Sequence, residues 1–465
     1  MRVLLVNPPS ETAIKDYLGT AAPPIGLASL AAVAMREGCM VRIIDAIAQD
    51  MDFHQLEKEI SRYKPDIVGV TATTPGIYSA CKVAEIAKKM GCNTVIGGPH
   101  ATFMDVEVIT QCDAVDVVVR GEGEVTFSQL LDAFERDRLS EVAGITYRDG
   151  EIIERNTSRK FVNNLDSLPI PAYRLLPEYY TGDSRFGAVI TSRGCPYRCV
   201  FCSSSRLFGN TWRAHSADRV VEELSILSEM GIRNVEFMDD TFNINRKRTL
   251  EISQKIQQEG LDISWVSSSR VDTFNAEAAK QMRKAGCHSV YFGIESGSQQ
   301  ILDFIGKNIS LDKAEKAVKK AKELGFRVIG SFVIGFHQER LEDMNKTIKF
   351  ARKLPLDFAQ FTIATPYPGT RLYEIASKLG LLLTKDWRRY TTLEPVMKNL
   401  YADSKRIQAM LSKAYLSFYL RPRYLIKDVV KNKGFVLKRI FGSALPVILR
   451  DGARSIRATT HPVQS

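Results

Sequence analysis

Three cysteines fall within eight residues, at Cys195, Cys199 and Cys202, in the run Cys-Pro-Tyr-Arg-Cys-Val-Phe-Cys. Thiolates are soft ligands that suit zinc or an iron–sulfur cluster. A structural zinc site normally takes four protein ligands, and no fourth Cys or His lies at a suitable spacing. Three thiolates on a tight loop would leave one iron of a 4Fe–4S cluster open, which is useful only if something binds there. The other five cysteines, Cys39, Cys81, Cys92, Cys112 and Cys287, are scattered. That distribution argues against a disulfide framework and for one ligand cluster in a reducing compartment.

A loop of this kind needs rigid elements to hold it. From Gly187 the sequence predicts strands at Gly187–Thr191, Asn234–Met238, Ser264–Ser267, Ser289–Phe292, Arg327–Ile334 and Phe358–Thr362, with helical stretches between them. Six such units predict a partial (β/α)6 barrel of the TIM type over residues 185–370, with its site at the carboxyl mouth of the strands. The cysteine loop follows the first strand directly. Asp239 and Asp240 end the second strand, Arg270 follows the third, Glu295 the fourth, and Ile334 and Gly335 the fifth. The aspartates offer acceptors for an ammonium, or else an N-cap pair. Arg270 offers a bidentate grip on a carboxylate, or else a structural ion pair. His337 reads as a solvated loop residue.

Before the barrel, apolar runs near Arg2–Val6, Val41–Ile44, Ile67–Val70, Thr94–Ile96 and Val115–Val119 alternate with helical patterns near Ile25–Glu37, Phe53–Tyr63, Gly76–Lys89 and Glu124–Glu135. This predicts a doubly wound, Rossmann- or flavodoxin-like α/β domain over residues 1–138, with ligands beyond the carboxyl ends of its strands. The loops there read Asn7–Ser10, Thr71–Gly76, Gly97–His100 and Arg120–Glu124. Thr71, Thr73, Thr74, Gly97, Gly98, Gly121 and Glu122 supply hydroxyls, small residues and backbone amides that let a large flat ligand approach the main chain. Any one loop is ordinary turn chemistry; four on one edge favour a ligand. Residues 139–184 read as a linker with a small hairpin, Ile145–Ile153, turning at Asp149-Gly150 and stiffened beyond it by Pro169, Pro171 and Pro177.

The cysteine loop resembles that of the radical S-adenosylmethionine (SAM) superfamily. The N-terminal domain, with Pro23–Leu27, Thr71–Gly76, Gly97–His100 and Gly121–Glu124, is similar to that of its cobalamin-binding members. The anaerobic oxidative cyclase of bacteriochlorophyll synthesis is one such enzyme. The resemblance covers about residues 1–420. It implies a 4Fe–4S cluster on Cys195, Cys199 and Cys202, and SAM on the open iron. Asp239 and Asp240 would hold the methionine amino group, Arg270 its carboxylate and Glu295 the ribose. Phe201, Ile334 and Gly335 would lie at the adenine. It also implies a 5′-deoxyadenosyl radical, cobalamin in the N-terminal domain, and an electron donor such as ferredoxin or flavodoxin. Two departures are visible. The turn after the fifth strand is Gly335-Phe-His-Gln-Glu339, keeping the family's Glu but not its Pro and second Gly. The segment Asn7–Gly19 has no histidine to serve as the lower cobalt ligand. The expected chemistry is methylation of an unactivated carbon. Ring formation or carbon–carbon coupling, or an N-terminal domain that binds substrate and no cobalamin, are the alternatives.

Composition agrees with a globular enzyme: 465 residues, 45% hydrophobic and 25% charged. No apolar run reaches the ~20 residues of a membrane span, and the start is too short and strand-like for a signal peptide, so the expected location is cytoplasmic. The net charge of +11 is uneven. Residues 421–457 hold ten Lys/Arg against two Asp, within a helical, basic C-terminal region expected over 371–465. Interleaved apolar and basic residues there predict peripheral contact with an anionic membrane, or else a solvated helical cap. The tail hints at a hydrophobic substrate, a lipid or a porphyrin. No nucleic acid is expected.

Overall fold

Val3, Leu4, Leu5 and Val6 have no exposed surface and form the centre of β1 (Arg2–Asn7). An unbroken apolar run of this kind suits a parallel strand covered on both faces. β1 pairs in parallel with β2 (Met40–Asp45) and β3 (Ile67–Thr71), which continues to β4 (Asn93–Gly97) and β5 (Val117–Val119). The order β2-β1-β3-β4-β5 is the flavodoxin-like one. In this computed structural model the chain is described over residues 1–9, 23–176, 186–422 and 424–425. The expected loop beyond Pro9, Pro177 and most of the 421–457 tail lie outside the described residues.

Helices α1 (Ile25–Arg36), α2 (Phe53–Tyr63) and α3 (Ile77–Lys89) cover this sheet; Asp52 starts α2 with a capping box completed by Gln55. Two short helices, α4 (Pro99–Phe103) and α5 (Asp105–Gln111), fill a stretch that the sequence reading leaves as loop, and α6 (Glu124–Arg136) follows β5. The hairpin is β6 (Ile145–Asp149) and β7 (Ile152–Arg155), and it corrects two expectations. Its two-residue turn is Gly150-Glu151, with Gly150 at φ +57°. It is not a free connector either: β6 pairs antiparallel with β5 and extends the first sheet to seven strands.

The second sheet runs in chain order and all parallel: β8 (Phe186–Val189), β11 (Asn234–Phe237), β12 (Ser264–Ser269), β13 (Cys287–Glu295), β14 (Arg327–Ile334) and β15 (Phe358–Ile363). Two short antiparallel strands, β9 (Ser192–Arg193) and β10 (Arg213–Ala214), flank the cysteine loop. The crossover helices α7 (Ala217–Glu229), α8 (Arg246–Gln258), α9 (Ala276–Lys284) and α10 (Leu311–Glu323) start on Ser216, Asn245, Asn275 and Ser310. Each of those side chains accepts from a first-turn amide. Trp265 lies 4.5 Å from Phe237 and 5.5 Å from Phe242, ring centre to ring centre, in the core beneath.

The C-terminal region is helical only in part. Between Arg371–Lys378 and the helix Ser404–Tyr419 the chain makes only a single 3-10 turn, Trp387–Arg389, and a bridge from Leu382 to Met397, and Trp387, Tyr390 and Val396 pack into the core of the first sheet. This segment ties the two layers together.

Candidate functional site

Gly194 opens the cysteine loop at φ +86°, and a Cβ there would collide with the Thr211 carbonyl. A glycine is therefore needed where the chain turns into the loop. Beyond it Cys195, Cys199 and Cys202 line a cavity of ≈ 180 Å³ shared with Phe201, Asp240, Arg270 and Glu295. Burial pushes the Cys202 thiol up to about 11 and raises that of Cys195. Bound iron would supply the positive charge that burial withholds from the thiolates. Among the described residues no three His, Cys, Asp or Glu side chains converge on a single-ion site. A cubane spreads its three thiolates over three irons and needs no such convergence. The donor set fits a 4Fe–4S cluster.

The two aspartates part company. Asp239 accepts from the Thr191 amide and from the Thr191 and Ser192 hydroxyls, each at 2.6 Å. It bolts β11 to the end of β8 and is absent from the cavity wall, a correction to its expected role at the methionine amino group. Both lie beyond β11, which ends at Phe237, and the chain bends at Asp240, so the two side chains part. Asp240 does, and the Ser204 hydroxyl donates to it at 2.6 Å. Burial raises the carboxyl of each. Neither caps a helix; the following turn starts on Thr241.

Arg270 is on the wall, but its fork is taken by Asp272, at 2.9 and 3.0 Å, and by the Lys307 carbonyl at 2.7 Å. Its guanidinium also sits 3.5 Å over the Tyr197 ring. Burial works against its charge and Asp272 overrides it, holding the pKa above the usual arginine value. Glu295 is paired with Lys307 at 2.9 Å. Phe201 faces the cavity and packs near Phe336, ring centres 6.0 Å apart. Ile334 and Gly335 do not line it: the Gly335 amide donates to the Glu339 carboxylate at 2.7 Å. Burial pushes Glu339 up to about 8 while two backbone amides hold it. The retained Glu of the atypical turn thus ties that turn from inside. His337 is buried edge-on to Phe304, not solvated.

A second cavity, ≈ 220 Å³, lies at the carboxyl edge of the first sheet. Thr71, Gly97, Gly98, Gly121 and Glu122 line it, together with Gly26, Gly69 and Gly123. Ile190, Arg193, Leu207 and Phe208 close it from the barrel side. A Cβ at Gly98 would sit 2.9 Å from the Ala72 carbonyl and one at Gly69 2.8 Å from Leu5 Cδ2. Those two glycines serve the protein's own close packing, whereas a Cβ at Gly26 or Gly121 would meet nothing within 4 Å, and that open wall fits the close approach of a large, flat cofactor such as cobalamin. Thr73 and Thr74 are off this wall, because the chain folds into a tight turn after β3. The Thr74 hydroxyl lies 3.2 Å from His100 Nδ1, and His100 packs edge-on against Trp387.

Glu122 lines the cavity but is clamped by Arg213 at 2.8 Å and by the Val162 amide at 2.8 Å. Arg193 reaches Glu124 at 2.5 Å and Glu122 at 3.4 Å. Burial alone would raise Glu124; Arg193 holds it below the usual carboxylate range. Two barrel arginines on β9 and β10 thus fasten the first sheet beside the cysteine loop. Sequence reasoning missed this clamp, and Lys307 as well, because both are pairings between distant positions that no local motif announces.

Residues 189–351 match the family described as the Radical SAM superfamily, and residues 12–131 match the B12 binding domain. The chain is 52% identical to an uncharacterised methyltransferase of Pyrococcus horikoshii, over 96% of this chain and 98% of that one. It is 29% identical to the anaerobic magnesium-protoporphyrin IX monomethyl ester cyclase of Rubrivivax gelatinosus, over 93% and 80%. It is 28% identical to the hopanoid C-3 methylase of Methylococcus capsulatus, over 90% and 81%. Among solved structures, the cobalamin-dependent SAM radical enzyme OxsB, with aqua-cobalamin and SAM bound, superposes with a TM-score of 0.75 at 17% identity, over 92% of this chain and 68% of that one.

Proposed function

The chain belongs to the cobalamin-binding radical SAM enzymes, and from that premise we propose that it methylates an unactivated carbon of a hydrophobic substrate, a lipid or a porphyrin. One observation carries the reading. The glycine-lined cavity is closed by Arg193, Leu207 and Phe208, which flank the cysteine loop in the chain, while Cys195, Cys199, Phe201 and Cys202 of that loop line the other cavity. When bound, the cluster with SAM supplies a 5′-deoxyadenosyl radical and cobalamin supplies a methyl group. The protein's part is to hold both and to keep water from the radical. Cys195, Cys199 and Cys202 hold the cluster. Asp240, Arg270, Glu295 and Phe201 form the wall against which SAM would lie. Thr71, Gly97, Gly98 and Gly121 line the space left for the cobalamin.

Relatives that methylate hopanoids or cyclise a porphyrin ester support a hydrophobic substrate. A low-potential ferredoxin or flavodoxin is the proposed electron source. No helix among the described residues is long and apolar enough to cross a membrane. Peripheral contact through residues 421–457 is part of the proposal, and vesicle flotation with and without 421–465 tests it; equal recovery in the soluble fraction would sink it. The reaction is tested with cluster-reconstituted, cobalamin-supplemented protein, trideuteriomethyl-SAM, a low-potential reductant, and lipid and porphyrin extracts. Methylation predicts 5′-deoxyadenosine together with the heavy methyl on an extracted compound. 5′-Deoxyadenosine with hydrogen loss and no heavy methyl would move the assignment to cyclisation or coupling.

A further inference from the structure

Lys307 belongs to no motif, yet it stands at the junction of three parts of the barrel mouth. The preceding residues touch the cysteine loop: the Val200 amide donates to the Ile305 carbonyl at 2.9 Å, and Cys199 Sγ lies 3.9 Å from the Gly306 carbonyl. The Lys307 carbonyl accepts from Arg270 at 2.7 Å. Its ammonium, buried within the cavity wall, meets Glu295 Oε1 at 2.9 Å.

Glu295 bears the marks of a residue held for use. Its φ is +68°, in the left-handed region that a glutamate rarely adopts and that persists only where the surroundings enforce it. A Cβ on Gly293 would collide with Glu295 Oε1 and come within 2.9 Å of Lys307 Nζ, so the glycine is what lets the ion pair lie flat across β13. Lys307 occupies one carboxylate oxygen. Among the described residues the other has only the Ser331 hydroxyl, at 3.4 Å, on a wall open to the cavity. A carboxylate fixed at one oxygen and free at the other suits donors that arrive as an adjacent pair, such as the hydroxyls of a ribose.

We infer that Lys307 is the positioning residue of the nucleoside end of the SAM site, fixing the Glu295 carboxylate so that it meets the ribose diol. The inference rests on the radical SAM reading of this mouth. Lys307 acts through Glu295 and does not itself grip the methionine end.

The test uses the full chain with its cluster reconstituted and equilibrium dialysis with two probes: SAM, and 5′-methylthioadenosine, which keeps adenine and ribose but lacks the amino-acid end. Lys307→Met should keep its iron and sulfide and bind both probes at least about tenfold more weakly, the scale of losing a charged hydrogen-bond partner. Lys307→Arg should restore much of the binding. Adding Lys307→Met to Glu295→Gln should cost nothing further. Gly293→Ala, which displaces the pair without removing a charge, should weaken both probes as well, and serves if Lys307→Met does not fold. Loss of SAM binding with 5′-methylthioadenosine unaffected would overturn the inference, placing Lys307 on the methionine carboxylate. Unchanged binding of both probes, or additive losses in the double variant, would overturn it too. If wild-type protein holds no iron, the radical SAM reading has failed, a separate result.

Discussion

The two cavities are of similar size, ≈ 180 Å³ at the barrel mouth and ≈ 220 Å³ at the edge of the first sheet, but their walls are opposite in kind. The barrel mouth is lined by thiols, carboxylates and cations, with Glu295, Lys307 and Arg270 already tied to one another. The first-sheet cavity is lined by glycines and aliphatic side chains, and its charged residues, Glu122, Glu124 and Arg193, are spent fastening the two sheets together. One site works through the groups it presents and the other through the room it leaves. Substitutions should therefore act differently: removal should disable the mouth, and addition should block the edge.

The largest expected effect is at the mouth. Cys199→Ala should abolish bound iron and 5′-deoxyadenosine production, read by metal analysis and chromatography, while cobalamin uptake persists. Iron retained at the wild-type level would break the contrast.

Next comes the clamp joining the sites. Arg193→Ala strands the buried Glu124, while Glu122 keeps Arg213 and the Val162 amide, and should cost about 3–5 kcal/mol in denaturant unfolding. An effect under about 1 kcal/mol would mean that the clamp holds nothing.

At the edge, Gly26→Leu should cut cobalamin binding by at least about tenfold, since the new side chain grows into the cavity where nothing lies within 4 Å of its Cβ. Gly26→Ala, adding one methyl in a helix, should shift stability by no more than about 1 kcal/mol. Iron content should be the same in both.

The smallest effect is a pH dependence to which buried His100 of the first sheet and buried His215 beside β10 both contribute, each with its pKa lowered to about 4. Burial lowers the pKa of His100 to about 4. The unfolded chain takes up that proton first, near its ordinary value of about 6.5. The folded state therefore loses stability as pH falls from there toward 4. His100→Gln should lessen the fall in melting temperature between pH 7 and pH 5, leaving the share of His215; an unchanged slope would contradict the assignment.

The strands and the cysteine loop were legible because their signals are local. Phe53–Tyr63 and Arg327–Ile334 form as read, one with its Asp52 cap and helical period, the other as an apolar run fit for a covered strand. The pair Asp239-Asp240 was half legible: its place after the second strand is local, but which carboxylate faces the site depends on the bend beyond β11 and on the bonds of Asp239 to Thr191 and Ser192. Helices α4 and α5 were missed because five and seven residues are too few to show a 3.6-residue period. Lys307 and the Arg193 clamp could not be read at all, since each partnership exists only once the sheets are assembled. Ile334 and Gly335 were placed at the adenine by resemblance, whereas here Glu339 takes the Gly335 amide.

The most direct test of the central claim is co-loading of the two cofactors. Anaerobically reconstituted protein is given hydroxocobalamin and SAM, passed through gel filtration, and assayed for iron, cobalt and 5′-deoxyadenosine. The account predicts about four irons and one cobalt per chain in the same peak, with 5′-deoxyadenosine formed on reduction. Iron and 5′-deoxyadenosine with no retained cobalt would contradict it.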